Sequence, residues 1–454
     1  MGDRGSQHAV PTELQEITSR ISALSKWREI FSFRGQDRAA LAKDHSEPGS
    51  PQGHRNPPAA SPGPFCSRGP RAATPSPRTR QCCEWAAAHF SFHPPHSDLA
   101  YGLQTGQGGT RAILAAVQAH IIAYLLFTRQ TGSTHLERLC RLGQGEQGQA
   151  LATALAETLW AAGGGGRAVV CLVTAPVTTM PPEGYRASSF AERIRLFEFS
   201  EKPAAQGFIS DHINSFKGKG SHGVILFLYS LLFSRTLERL QEDLGDTAPL
   251  LNVSSGNVTC TEAVLSLLLT GRASPRALGG ARDAESGAGD GDGEARGQRG
   301  PVGFLRWERA PLERQVSVGT APGPPGDPRH GPGSRHGPGS RQSSPAQVSP
   351  ALRTPRLPVW LCGVSGRHSV LFGTDSRLLS DWKSERIFHL YFYTGQREQT
   401  RTAHLTIDTH SHRWEEARGE GPCSPGQRRP ALEMAIRTRW AGATVNWNGT
   451  DPFF

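Results

Sequence analysis

Residues 101–119 read YGLQTGQGGTRAILAAVQA. Gly106, Gly108 and Gly109 form a glycine-rich turn running into a helix with an apolar stripe. Such a turn presents free backbone N–H groups at a helix start. That place suits a phosphate, or a cysteine thiolate whose pKa the helix dipole lowers. No Gly-Lys-Ser/Thr follows, which excludes a Walker loop, and no strong strand precedes it, which excludes a dinucleotide fingerprint. Asp408, His410 and His412 alternate and have the donor types of a metal site on one strand face. Structural polar contacts explain them more simply, so neither metal nor cofactor is expected. The eight cysteines are scattered without a CxxC pair, which argues against a zinc site or a disulfide scaffold. Cys171 and Cys362 sit in apolar runs, where a buried, inert thiol is the usual case. Gly163–Gly166 precede a strand rather than a helix and read as a turn, not a phosphate cradle. Trp440, Trp447, Phe453 and Phe454 read as packing aromatics.

The elements that would position these groups fall into two halves. Spacing of apolar residues predicts helices over 111–127, with Leu114, Val117, Ile121, Tyr124 and Leu125 on one stripe, and over 147–160, ending at the glycine turn. It also predicts one long helix over 224–243 and another over 261–270, capped by Gly271. Residues 167–175 (RAVVCLVTA) form a buried strand by their β-branched run. The last third predicts strands over 357–363, 367–373, 386–394 and 404–408. Helices first and strands later give an α+β fold rather than a doubly wound sheet.

Composition bounds the rest. Gly (52) and Pro (34) make up nearly one residue in five of 454, and 36% are hydrophobic, which excludes a single globule of the full length. Residues 1–42 contain an amphipathic helical arm, with Leu14, Ile17, Ile21, Leu24, Trp27 and Phe31 at helical spacing. Residues 43–83 are a Pro/Gly/Arg linker, and 84–454 form the main domain, with low-complexity insertions at about 273–303 and 320–350. The second insertion repeats HGPGSR twice, too few copies for a solenoid. Residues 304–319 form a foldable island between them. Most of the net charge of +10 sits in the low-complexity stretches, leaving the foldable part near neutral. A folded basic face for nucleic acid is therefore not expected. The longest apolar run, 224–233, is short of the roughly 20 residues a spanning helix needs, so no membrane role is expected. With a polar opening and no disulfide pattern, an intracellular, cytoplasmic or nuclear, setting is the expectation, and the N-x-[ST] matches at Asn252, Asn257 and Asn448 carry little weight.

The 101–119 segment resembles the signature of the MINDY family of deubiquitinating cysteine proteases, close to YGLxQxxGGPCGVLAxVQ. Tyr101, Gly102, Leu103, Gly108, Gly109, Leu114, Ala115, Val117 and Gln118 are kept in register. The likeness continues in SHGVILFLYSLLFSR, LLLTGRA, RTPRLPVW, SVLF, LTIDTHSHRWE and RTRWAGATVNWNG, in matched order. It points to the branch of the third and fourth members and is strongest to an inactive relative of the fourth. It implies a cysteine-peptidase-like domain acting on ubiquitin or polyubiquitin, with preference for lysine-forty-eight-linked chains. That chemistry needs a thiolate nucleophile, a histidine base and a polar oxyanion donor.

By the same resemblance, Arg111 stands where the nucleophilic cysteine should be, with Thr110 and Ala112 replacing its Pro and Gly neighbours. Thr105 takes the place of the oxyanion-side glutamine, with Gln104 one residue early, and Arg367 takes that of the histidine. A guanidinium only donates and cannot form an acyl-enzyme. His368 is expected to face away from the site, because neighbours on a strand point to opposite faces. Arg111 and Arg367 are expected to splay apart or to share an anion such as a partner's carboxylate. The resemblance thus implies an inactive deubiquitinase with no catalytic position intact. The alternatives are an active enzyme using an unrecognised thiol, and a scaffold acting through its Arg-rich linkers.

Overall fold

In the computed structural model, the apolar run after the glycine turn becomes a central helix, α1 (Arg111–Ala123), packed against other helices and two strands of the C-terminal sheet. The described residues are 85–129 (without 86 and 107), 136–173, 194–245, 250–274 (without 255 and 256), 278, 299–308, 348–410 and 430–451. All belong to one compact unit, Cys83–Phe454. The N-terminal arm, the 43–83 linker, most of both insertions, the island after 308, His412, Phe453 and Phe454 lie outside them.

Helix α1 is buried on every side from Ala112 to Ala123 and runs into a single π turn, Tyr124–Thr128. The expected one-sided stripe was too narrow. Ala115, Ala116 and Ala119 are sealed as completely as Ile113 and Val117, and their small side chains let neighbouring elements approach closely. The stretch Arg111–Thr128 is long and apolar enough to cross a membrane by length and composition, but 78% of it is buried inside this fold. Its neighbours are α2 (Gln144–Ala162), which ends at Gly163 as expected, and α6 (Glu262–Thr270), which ends at left-handed Gly271.

Strands β1 (Ala168–Val173) and β2 (Ile194–Phe199) form an antiparallel pair. Helix α3 (Lys202–Asp211) packs against α2 and this pair. The single long helix expected over 224–243 is two: α4 (Gly223–Arg235) and α5 (Leu237–Leu244). The break is Thr236, whose φ of 71° takes it out of the helical region while its hydroxyl accepts from the Arg239 N–H as an N-cap. Helix α4 covers β1 through two serines one turn apart. Ser230 and Ser234 accept hydrogen bonds from the Cys171 and Val169 N–H groups, both at 2.8 Å, so the strand keeps no buried orphan donors there.

A short antiparallel pair, β3 (Leu251–Ser254) and β4 (Asn257–Cys260), precedes α6. The C-terminal half is a six-stranded sheet built from β5 (Gly303–Trp307), β6 (Val359–Val364), β7 (Arg367–Phe372), β8 (Ile387–Tyr393), β9 (Ala403–Asp408) and β10 (Thr444–Asn446). Its order is β10-β9-β8-β7-β6-β5, with only β5 and β6 parallel. The foldable island thus supplies an edge strand, starting at Gly303, the last residue assigned to the first insertion. Fold class is α+β, mixed helices with a strand-rich C-terminal half.

The two faces of this sheet position the site. One face carries Leu305, Cys362, Leu371, Phe388, Leu390, Phe392, Leu405 and Ile407 and packs on α7 (Ala431–Arg437) and Trp440. The Trp440 ring meets Trp360 edge-on at 5.4 Å. Helix α1 lies across β6 and β7. The Tyr101 ring, just ahead of α1, meets Phe372 edge-on at 6.1 Å. Because side chains alternate, Val370 and Phe372 face α1 while Ser369 and Leu371 face α7.

Candidate functional site

The turn before α1 is held by groups from three directions. Gln118, about two turns into α1, reaches back: its Oε1 accepts from the Leu103 N–H and its Nε2 donates to the Tyr101 carbonyl at 3.0 Å. Tyr101 Oη and Thr402 Oγ1 are 2.7 Å apart, and Tyr393 Oη donates to the Leu103 carbonyl at 2.8 Å. At the turn's other end, Gly109 lies against β4. A Cβ there would fall 1.5 Å from the Val258 carbonyl oxygen, which also accepts from Trp85 Nε1 at 3.2 Å. Only glycine permits that approach.

Arg111 is the first residue of α1, and its N-cap, Thr110, makes no side-chain cap bond. The half-buried Arg111 side chain reaches the turn after β8, where Nη2 donates to the Thr394 carbonyl at 3.5 Å. Its Nε is sealed from solvent with no hydrogen-bond partner. Burial pulls the Arg111 pKa down, the charge of Arg367 adds to that, and Glu398 opposes it. Thr105 is buried against the same turn: its N–H donates to the Gly395 carbonyl at 2.8 Å and its hydroxyl to that of Thr394 at 3.4 Å. Thr105 and Arg111 thus share the Thr394 carbonyl as acceptor. Gln399 fixes the turn by accepting from the Thr394 N–H and donating to the Phe392 carbonyl.

The expectation that His368 faces away is overturned. Its row across the sheet is Arg306–Gly363–His368, with His368 Nε2 3.9 Å from where a Gly363 Cβ would sit. This row shares the face of Val370 and Phe372, toward α1. The His368 pKa is lowered to about 4 by burial and then by the charges of Arg111 and Arg306, so the ring is neutral at pH 7. Arg367 is exposed at the start of β7 and shares the face of Ser369 and Leu371, yet its charge still reaches Arg111. The two arginines are thus not buried side by side. Arg306 is held by Glu262, at the start of α6, and by Glu308 at 2.8 Å. Burial pulls its pKa down, but the two carboxylates more than offset that.

Four thiols lie among the described residues. Cys362 sits on the α7 face, fully buried, with its pKa driven up by burial; burial also pushes Cys171 up to about 12. Cys140 is raised by burial and by the charges of Asp98 and Glu137. Cys260 was not singled out from the sequence. It lies beside the turn, donating to the Gly109 carbonyl at 3.8 Å, and burial pushes it up to about 12. No signal in its neighbourhood, NVTC, could have placed it there, because the contact spans 151 residues. No histidine ring hydrogen-bonds a thiol among the described residues. The Asp408 carboxylate accepts from the His410 N–H at 2.8 Å, a local polar contact.

The sequence that builds this fold and turn matches a known family. Residues 76–449 match the family described as deubiquitinating enzyme MINDY-3/4, conserved domain. The chain belongs to this family. Among curated MINDY relatives, the mouse protein named "Probable ubiquitin carboxyl-terminal hydrolase MINDY-4" is 32% identical over 82% of this chain and 44% of its own length. The human protein of that name is 31% identical over 82% and 44%. Human "Ubiquitin carboxyl-terminal hydrolase MINDY-3" is 25% identical over 68% of this chain and 65% of its own length. The chain spans less than half the length of the MINDY-4 relatives it matches. No solved structure matches the chain.

Proposed function

We propose that this chain is a non-catalytic MINDY-family domain that binds ubiquitin or polyubiquitin without hydrolysing it. The carrying observation is Arg111 at the first position of α1, the position the family resemblance assigns to the nucleophile. A helix start there would lower a thiol's pKa, but a guanidinium has no lone pair to attack a carbonyl. The Thr105 hydroxyl, turned toward Thr394, and the neutral His368 imidazole would then have no acyl-enzyme to serve. Raised pKa values at Cys140, Cys171, Cys260 and Cys362 speak against a displaced nucleophile among the described thiols. The reading carries with it a cysteine-peptidase-like α+β fold for residues 84–454, a separate N-terminal arm, and an intracellular setting.

The test uses the full chain and ubiquitin carrying a C-terminal propargylamide. No covalent adduct, no cleavage of lysine-forty-eight-linked tetraubiquitin, and saturable binding of that tetraubiquitin are expected. A thiol adduct on any cysteine would make the chain an active hydrolase. Absence of binding up to millimolar ubiquitin would leave only the scaffold role of the Arg-rich segments.

A further inference from the structure

Arg111 is unusual in how little holds it. A guanidinium carries five N–H donors in a planar fork. In Arg111 one nitrogen is sealed and unpartnered, another makes a single 3.5 Å contact to a carbonyl, and no carboxylate lies within ion-pair distance among the described residues. Other partly buried arginines are treated differently. Arg235 grips Asp243 with two bonds of 2.8 Å, Arg439 reaches Glu385 at 2.7 Å, and Arg306 holds two glutamates. Arg353 and Arg439 share the orphaned Nε, but Arg353 is anchored to the Thr438 carbonyl at 2.9 Å and Arg439 has its glutamate, so what sets Arg111 apart is that its one side-chain hydrogen bond is 3.5 Å long. Leaving a half-buried cation this poorly matched is costly unless a ligand completes it.

The surroundings select the ligand's chemistry. The α1 start adds N–H groups with no intrahelical partner and no side-chain cap. Arg367 adds positive field, and the acid that Arg111 senses, Glu398, is exposed on the turn after β8. The α1 N–H groups and Arg367 thus favour an anion, and the opposing groups are the Thr394 carbonyl, already in contact with Arg111, and the exposed Glu398. An isopeptide offers one carbonyl acceptor and an N–H that would face other donors. A chain-terminal carboxylate offers two charged acceptors that match a guanidinium fork.

We propose that Arg111, at the start of α1, captures the free C-terminal carboxylate of unconjugated ubiquitin in preference to an amide-linked tail, an assignment that rests on the ubiquitin-binding reading above. Substituting arginine for a nucleophile then exchanges bond cleavage for recognition of the cleaved end.

The experiment titrates the full chain with ubiquitin bearing its natural free carboxylate and with ubiquitin ending in a primary amide, by calorimetry. The unaltered chain is expected to bind the carboxylate form about tenfold more tightly, the effect of a charge-assisted bidentate contact. Arg111→Gln brings the two affinities together, and Arg111→Lys keeps part of the difference; the two-ligand comparison on the unaltered chain does not depend on either variant folding. Equal affinities for the two forms would overturn carboxylate capture while leaving ubiquitin binding intact. Failure of both forms to bind would overturn the two readings together.

Discussion

Tyr393 occupies the space in which Gly102 would carry a side chain: a Cβ built on Gly102 falls 2.4 Å from the tyrosine hydroxyl oxygen. The same hydroxyl donates to the Leu103 carbonyl at 2.8 Å, so one aromatic ring both excludes a side chain and supplies a bond. This contact couples the turn that aims Arg111 to β8, nearly 300 residues further along the chain.

Gly102→Ala is therefore expected to displace Tyr393 and loosen the turn. Overpacking of this kind costs about 1–3 kcal/mol. Chemical denaturation at pH 7 checks it, and Gly106→Ala is the control, because nothing lies within 4 Å of a Cβ there. Equal losses at the two positions would mean that the Tyr393 contact is not what requires glycine.

Ser230 is expected to matter for stability although it is a small polar residue on an apolar helix. Its hydroxyl accepts from the Cys171 N–H and donates to the Leu226 carbonyl at 2.7 Å. Ser230→Ala leaves a buried strand N–H without a partner, a loss of about 1–3 kcal/mol. Hydrogen exchange would show the Cys171 amide losing protection first. Unchanged protection there would mean that α4 does not seal the β1 edge through this hydroxyl.

The thiol environments predict low reactivity. All four described cysteines have raised pKa values, so little thiolate exists at pH 7. Among these four, iodoacetamide on the native chain, read by peptide mass spectrometry, is expected to reach Cys140 first, since Cys171 and Cys362 are fully buried and Cys260 is packed on the Gly109 carbonyl. Rapid alkylation of Cys260 would instead reveal an activated thiol beside the turn and would reopen the catalytic reading.

Much of this architecture was legible in the residues, for identifiable reasons. Strands β6 to β9 are short runs rich in apolar and aromatic residues, and α6 has both a threonine start and a glycine stop. What was missed depends on pairing at long range. Strands β3, β4 and β10 are three or four residues each, stabilised by neighbours rather than by their own pattern. The Thr236 break is hidden inside an apolar-to-amphipathic run. At the site, Gly106, Gly108 and Gly109 announced the turn, and Arg111 stands where they aim. The orientation of His368 was misjudged because alternation fixes which residues share a face, not which face meets α1. That assignment came only from Tyr101 against Phe372 and from Cys362 and Leu371 on α7.

His368 makes acid stability a report on the site's charge. Its pKa is lowered to about 4 in the fold, below the ordinary 6.5, by burial and by Arg111 and Arg306. The unfolded chain therefore takes up a proton at this position before the folded chain does. Stability from this group is fully present above pH 6.5 and is lost progressively as pH falls toward 4. Between pH 7 and pH 5 the loss amounts to roughly 1–2 kcal/mol. His93, His120 and His404 are depressed in the same direction, and Glu146 and Asp375 add losses at lower pH, so the wild-type slope alone does not isolate His368. His368→Phe removes its titration while keeping a ring in the space. Denaturation of both proteins at pH 7 and pH 5 should show the variant losing less stability on acidification. Arg111→Gln should shrink the loss too, because it removes one of the charges that hold the imidazole neutral. Identical pH dependence in all three proteins would mean that His368 does not sense Arg111.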